Sequence, residues 1–67
     1  MIEIKVNGQN KKINSSINLA DMLKDLHLPT ELIAIELNKK VVRKRDWNYI
    51  KLAKEDVVEI IHFVGGG

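Results

Sequence analysis

The group in this sequence that reads as built for chemistry is its terminus. The chain closes Phe63-Val64-Gly65-Gly66-Gly67, so three of its four glycines fill the last three positions, directly after its most apolar stretch. Glycine has no Cβ, so such a tail can thread a narrow channel and lay its backbone against another protein's reactive atoms. Three extended residues span ~10 Å, enough to carry the α-carboxylate of Gly67 clear of a folded body and into a partner's active site. The bland reading of the same residues is a frayed or foreign end. An α-carboxyl titrates near ~3.5 and is ionised at neutral pH. A carboxylate resists nucleophiles until it is given a better leaving group, which ATP-dependent adenylation supplies. Gly8 is the sole glycine outside the tail and sits in a turn signal, so the chain has no phosphate-cradling glycine loop. The ATP site must then belong to a partner.

Few other residues compete for a chemical role. The chain has no cysteine, which excludes a disulfide, a cysteine-ligated zinc, a thiolate nucleophile and an iron–sulfur cluster. His27 and His62 lie far apart with no cysteine companions and make no metal site; His27 falls beside a helix C-terminus, where partial positive charge is favourable. Glu55 and Asp56 adjoin on a turn, where neighbouring side chains seldom converge, and read as loop solvation rather than an acid/base pair. Lys39, Lys40, Arg43, Lys44 and Arg45 put five cations in seven positions. That run is an RNA-binding patch, a solvated hairpin or a docking rim for an acidic partner, and the scarcity of aromatics disfavours RNA.

Size and charge narrow the field further. A chain of 67 residues makes one domain with a small core. Eleven basic against nine acidic residues give a net charge of +2, too little to imply nucleic acid by itself. No run reaches the ~18 apolar residues of a membrane span. The start, Met1-Ile2-Glu3-Ile4-Lys5, alternates instead of building a basic region and an apolar block, so it is no signal peptide and the expected compartment is the cytoplasm.

The elements that must position the tail follow from hydrophobic periodicity. Ile2, Ile4 and Val6 alternate with Glu3 and Lys5, which predicts a strand with one buried face. Asn7-Gly8 is a hairpin signal, and the polar return from Gln9 to Ile13 reads as an edge strand guarded by Lys11 and Lys12. Leu19, Met22, Leu23 and Leu26 then form one helical stripe of about two and a half turns. Asn18 is its N-cap, with Asp21 three residues on; Ile17 and Met22 make a hydrophobic staple, and Pro29 limits the helix beyond Lys24. Ile33, Ile35 and Leu37 share one face of a third strand, which turns at Asn38-Lys39-Lys40 into Val41-Val42. The irregular stretch from Arg43 to Lys54 is anchored by Trp47, with Tyr49, Ile50 and Leu52 as further anchors. Val57 to Val64 is a nearly continuous apolar run that suits a central strand.

The resulting order, β-β-α-β-β-β, predicts an α+β fold of the β-grasp type. A mixed sheet of about five strands would carry one main helix across one face, with the first and last strands parallel at its centre. The domain would span residues 1–64, leaving 65–67 as a flexible glycine tail. On the last strand Val58, Ile60, His62 and Val64 share one face, and Val57, Glu59, Ile61 and Phe63 the other. Glu59 marks its own face as open, leaving Val57, Ile61 and Phe63 as an apolar docking patch that leads to the tail. The alternative is that the segment around Trp47 folds over them.

At this point the chain resembles, over its whole length, the ThiS sulfur carriers of thiamine biosynthesis, which are ubiquitin-like β-grasp proteins. The matching pieces are Ile2-x-Ile4-x-Val6-Asn7-Gly8, Leu19-Ala20-Asp21-Met22-Leu23, Ile33-Ala34-Ile35-Glu36-Leu37-Asn38 and Val41-Val42-Arg43. Trp47, Asp56-Val57-Val58-Glu59-Ile60-Ile61 and Phe63-Val64-Gly65-Gly66-Gly67 continue the match. Two turns depart from the family pattern: Glu55 stands where a glycine often precedes Asp56, which would alter that turn, and Asn38-Lys39-Lys40 lacks its frequent glycine. The resemblance implies a carrier and not an enzyme, with no cofactor or metal of its own. An E1-like adenylyltransferase (ThiF type) would activate Gly67 using ATP and magnesium. Sulfur from cysteine, through a desulfurase, would convert the carboxylate to a thiocarboxylate, and thiazole synthase (ThiG type) would consume it. Gly65, Gly66, Val57, Ile61, Phe63 and Val64 would meet these partners. The runner-up in the same class is a MoaD-like small subunit of molybdopterin synthase or a tRNA-thiolation carrier; from another class, it is a small RNA-binding module using the Lys39 to Arg45 segment.

Overall fold

Apolar alternation at the N-terminus folds as expected into strand β1, Ile2–Val6, followed by β2, Gln9–Ile13. The computed structural model describes residues 1–63. Asn7 (φ 50°) and Gly8 (φ 82°) both take the left-handed conformation that a two-residue hairpin turn requires. Helix α1, Leu19–Asp25, is capped by Asn18, whose Oδ1 accepts the Asp21 N–H at 2.8 Å. Strands β3, Ile33–Leu37, and β4, Lys40–Val42, form a second hairpin; a 3₁₀ helix, Lys44–Tyr49, and strand β5, Val57–His62, complete the chain.

The five strands form one sheet in the order β2-β1-β5-β3-β4. β1 and β5 run parallel, Lys5 beside Val57 and Val6 beside Val58, while β3 runs antiparallel to both β5 and β4. The most apolar strand is thus central and the polar β2 an edge, as the sequence pattern predicts. Ile4, Val6, Ile35, Val58 and Ile60 line one face and pack with Leu19, Met22 and Leu23 of α1 in a single core. One helix covers one face, so the other face stays open.

α1 is shorter than its stripe suggests, at seven residues. It is closed by a Schellman motif: the His27 N–H bonds the Lys24 carbonyl (3.0 Å) and the Leu28 N–H bonds the Leu23 carbonyl (2.9 Å). His27 (φ 56°) holds the left-handed position usually given to glycine, so the helix stops before Pro29 acts. The stretch after β4 is ordered by Trp47, which is buried and donates its indole N–H to the Val42 carbonyl at 3.2 Å. Leu52 is also buried, and the Leu19 N–H to Ile50 carbonyl and Leu52 N–H to Ile17 carbonyl bonds tie the stretch to the helix entrance. Tyr49 is no anchor: its ring is 84% exposed, because the 3₁₀ turn that buries Trp47 points it away from the core.

Both turns that depart from the family pattern still adopt the glycine-like conformation. Lys39 lies at φ 71° and Glu55 at φ 69°, so the backbone accepts strain instead of changing shape. Replacing either residue by glycine is expected to stabilise the fold by about 1 kcal/mol. For a domain this small that raises Tm by roughly 4–8 °C per substitution, measurable by thermal denaturation followed by circular dichroism.

Each hairpin turn also reaches the central strand through an asparagine. Asn7 Oδ1 accepts the Ile60 N–H at 2.7 Å, and its own N–H donates to the Val58 carbonyl at 2.9 Å. Asn38 Oδ1 accepts the Val57 N–H at 2.9 Å, while its Nδ2 donates to Asp56 Oδ1 at 3.0 Å. Asn7→Gly keeps the turn but strands the half-buried Ile60 N–H, so it should cost about 1–3 kcal/mol in urea denaturation. Asn7→Asp retains the acceptor and should recover most of that loss.

Candidate functional site

β5 delivers the chain terminus, so the site is built from what fixes that strand and from what its uncovered face presents. The even residues of β5 point their N–H and C=O groups toward β1, where Val58 and Ile60 are taken up by Asn7. The odd residues point theirs toward β3. Their ladder runs past the end of the strand, where the Phe63 N–H donates to the Leu32 carbonyl at 2.8 Å. The direction in which the chain leaves the sheet is therefore set by backbone pairing up to Phe63.

The two faces of β5 differ as its alternation predicts. Val58 is fully buried and Ile60 nearly so, whereas Ile61 is 44% and Phe63 56% exposed. Val57 is half-buried on the open face beside Lys5. The segment around Trp47 does not fold over this surface, because the 3₁₀ helix packs against α1 on the opposite side. Val64, Gly65, Gly66 and Gly67 lie outside the described residues, as does the boundary between domain and tail.

The register adds residues that sequence reasoning missed. Ala34 is opposite Ile61, and Glu36 is opposite both Glu59 on β5 and Val41 on β4. Val41, 70% exposed, therefore shares the open face with Ile61 and Phe63. In sequence Val41-Val42 is an undivided apolar pair, and only the pairing of Val42 with the buried Ile35 reveals that Val41 faces outward. Glu36 and Glu59 bring two like charges directly across the centre of the face, an arrangement that adds nothing to stability. An apolar surface bordered by charged side chains is the build of a protein contact surface. Among the described residues no three metal-ligating side chains cluster. No helix among them is long and apolar enough to cross a membrane.

Known proteins similar to this chain point in one direction. A family model described as the ThiS family matches residues 4–67. The chain is 32% identical over 65 residues to the sulfur carrier protein ThiS of Bacillus subtilis, covering 96% of this chain and 98% of that protein. It is also 32% identical over 66 residues to a segment of a thiazole synthase from Magnetococcus marinus, covering 98% of this chain but 20% of that protein. The crystal structure of a thiamine biosynthesis protein (ThiS) from Geobacter metallireducens superposes with a TM-score of 0.87. It is 28% identical and covers 98% of this chain and 100% of the other.

The division of the sheet into a packed and an open face has a direct test. Ile61→Ser and Phe63→Ser should each leave stability within about 0.5 kcal/mol of the parent. Ile60→Ala, one position away on the core face, should cost about 2–5 kcal/mol. Chemical denaturation of the three variants separates the two faces.

Proposed function

Because the chain belongs to the ThiS family, we propose that the carboxylate of Gly67 is the group on which it carries sulfur. The protein is a sulfur carrier of thiamine biosynthesis, and it acts as a substrate of other enzymes. The observation that carries the residue assignment is the coincidence of a triple-glycine end with the strand whose direction the sheet fixes. An adenylating enzyme of the ThiF type, holding ATP and magnesium, activates Gly67. The carboxylate oxygen attacks the α-phosphorus, pyrophosphate leaves, and an acyl adenylate results. A desulfurase takes sulfur from cysteine as a persulfide, a thiol reductant supplies two electrons to bring it to the oxidation level of sulfide, and that sulfur then attacks the carbonyl carbon. AMP leaves with the electron pair of the C–O bond, and Gly67 keeps sulfur in place of one oxygen.

Thiazole synthase is the consumer of that sulfur. Support comes from relatives in which a segment similar to this whole chain is part of a thiazole synthase polypeptide. Gly65 and Gly66 are the narrow leader that passes through each partner's channel, since side chains there would widen it. Val57, Ile61, Phe63 and Val64, joined by Val41, form the surface on which the partners seat. The cytoplasm, where all these reactants meet, is the compartment of this reading.

Intact-mass spectrometry after incubation with the adenylating enzyme, ATP and a sulfur source provides the test. The expected result is a mass gain equal to one oxygen-for-sulfur exchange, localised to Gly67, and none in a variant lacking Gly66 and Gly67. Failure of the full chain to change mass with a demonstrably active cognate enzyme would overturn the assignment. Phe63→Ser should still be converted at high enzyme concentration but with a raised KM, since it alters seating and leaves the reacting group untouched.

A further inference from the structure

We propose that Arg43, Lys44 and Arg45 form an electrostatic docking strip for an acidic rim on the enzymes that receive the tail. The inference rests on the carrier reading above and assigns a role to a basic segment that reading leaves unused. All three side chains are exposed. β4 ends with Val42 opposite Ile35, so the extended residue that follows, Arg43, comes level with Ala34, whose partner on the other side is Ile61. The strip therefore begins at the end of the sheet where β5 delivers Phe63. Lys39 and Lys40 lie at the other end, level with Leu37 and the start of β5.

The strip is also supported and continuous with the apolar surface. Trp47 is held by its bond to the Val42 carbonyl, and Lys44 Nζ lies 6.0 Å from the centre of its ring, within reach of a cation–π contact. Val41, exposed on the open face, joins Arg43 to the patch of Ile61 and Phe63. An apolar centre with a charged border is the usual build of a protein interface. Protection of a sheet edge accounts for Lys40, which lies on β4, but not for the three cations beyond it, where there is no ladder to shield. Asp46 in the 3₁₀ helix and Glu36, diagonal to Arg43 across the β3–β4 pair, set two acids against three cations and leave the strip net basic. A protein partner fits better than RNA: Trp47 is buried and closed to base stacking, which leaves Tyr49 as the single exposed ring in this helix.

Border charges act mainly on association rate and its salt dependence. That suits a carrier, which must find each enzyme quickly and leave it again. The test compares the full chain, R43Q/K44Q/R45Q, the milder R43Q, and K39Q/K40Q, which removes two charges at the far end, as a control. Association with the adenylating enzyme is followed by stopped flow over a range of ionic strength. The triple variant should associate about tenfold more slowly at low salt, with the difference vanishing toward 1 M, where the Debye length is ~3 Å. R43Q should fall between the triple variant and the parent, and K39Q/K40Q should follow the parent. Equal rates and salt slopes for the triple variant and parent would overturn the strip. An equal loss in K39Q/K40Q would also overturn it, since net charge alone would then be responsible. A labelled single-stranded RNA that binds the parent tightly and the triple variant weakly would overturn it in favour of a nucleic-acid surface. Mass change at Gly67 in the same samples reads the carrier assignment separately: parent that associates but never gains sulfur refutes that assignment and leaves the rate comparison intact.

Discussion

Everything in this fold depends on seating one strand between two hairpins. β5 arrives last in sequence yet occupies the centre of the sheet, parallel to β1 and antiparallel to β3. A central strand with unmet N–H and C=O groups on either side would lose far more than its apolar side chains could restore. β1 is too short to satisfy it by backbone alone. Asn7 takes over where β1 ends, and Asn38 does the same where β3 ends. Both asparagines sit at positive φ within turns, so the residue type that shapes each hairpin also fastens it to the strand between them. Asp56 completes the arrangement by accepting the Ala53 N–H at 2.8 Å, which shapes the turn leading into β5.

The same economy of size explains the strained turns. Among the described residues, six other than glycine lie at positive φ: Asn7, His27, Leu32, Asn38, Lys39 and Glu55. Such conformations cost about 1–2 kcal/mol for an ordinary residue, less for asparagine. They persist because each lies where backbone hydrogen bonds over-determine the path: the Schellman closure at His27, the hairpin at Lys39 and the Leu32 carbonyl that meets Phe63. In a small domain with a single core, giving up those bonds would release the helix or a hairpin altogether.

Function follows from the asymmetry of the sheet. The helix draws Ile4, Val6, Ile35, Val58 and Ile60 to one side, and the remaining side is left with Ile61, Phe63 and Val41 around two opposed glutamates. In the proposed carrier role the sheet serves chemistry by presenting the chain end. Here rigid pairing reaches Phe63, the apolar surface lies beside it, and cations border that surface on the β4 edge. In that role the reacting enzymes are larger proteins, and this chain supplies orientation and recognition.

Much of this was legible in the residues. Alternation in β1, the Asn7-Gly8 turn, the stripe of α1 and the apolar run of β5 gave element types, and the contrast in polarity among strands gave their order in the sheet. The open face of β5 could be read from Glu59, because an unpartnered carboxylate is too costly to bury. The glycine end lies outside the described residues, and the chemistry proposed for it rests on residue type and position alone. Other features were decided only when strands met across the fold. Val41 and Val42 are equivalent in sequence, and register turns one outward; Tyr49 reads as an anchor until the 3₁₀ turn commits Trp47 to the core. The bond from Asn7 to Ile60 joins residues 53 positions apart, which no local pattern encodes. Local periodicity thus determined what each segment is, because side-chain burial repeats with the backbone. Tertiary structure decided which polar groups meet, because hydrogen-bond partners are set by proximity in space and not along the chain.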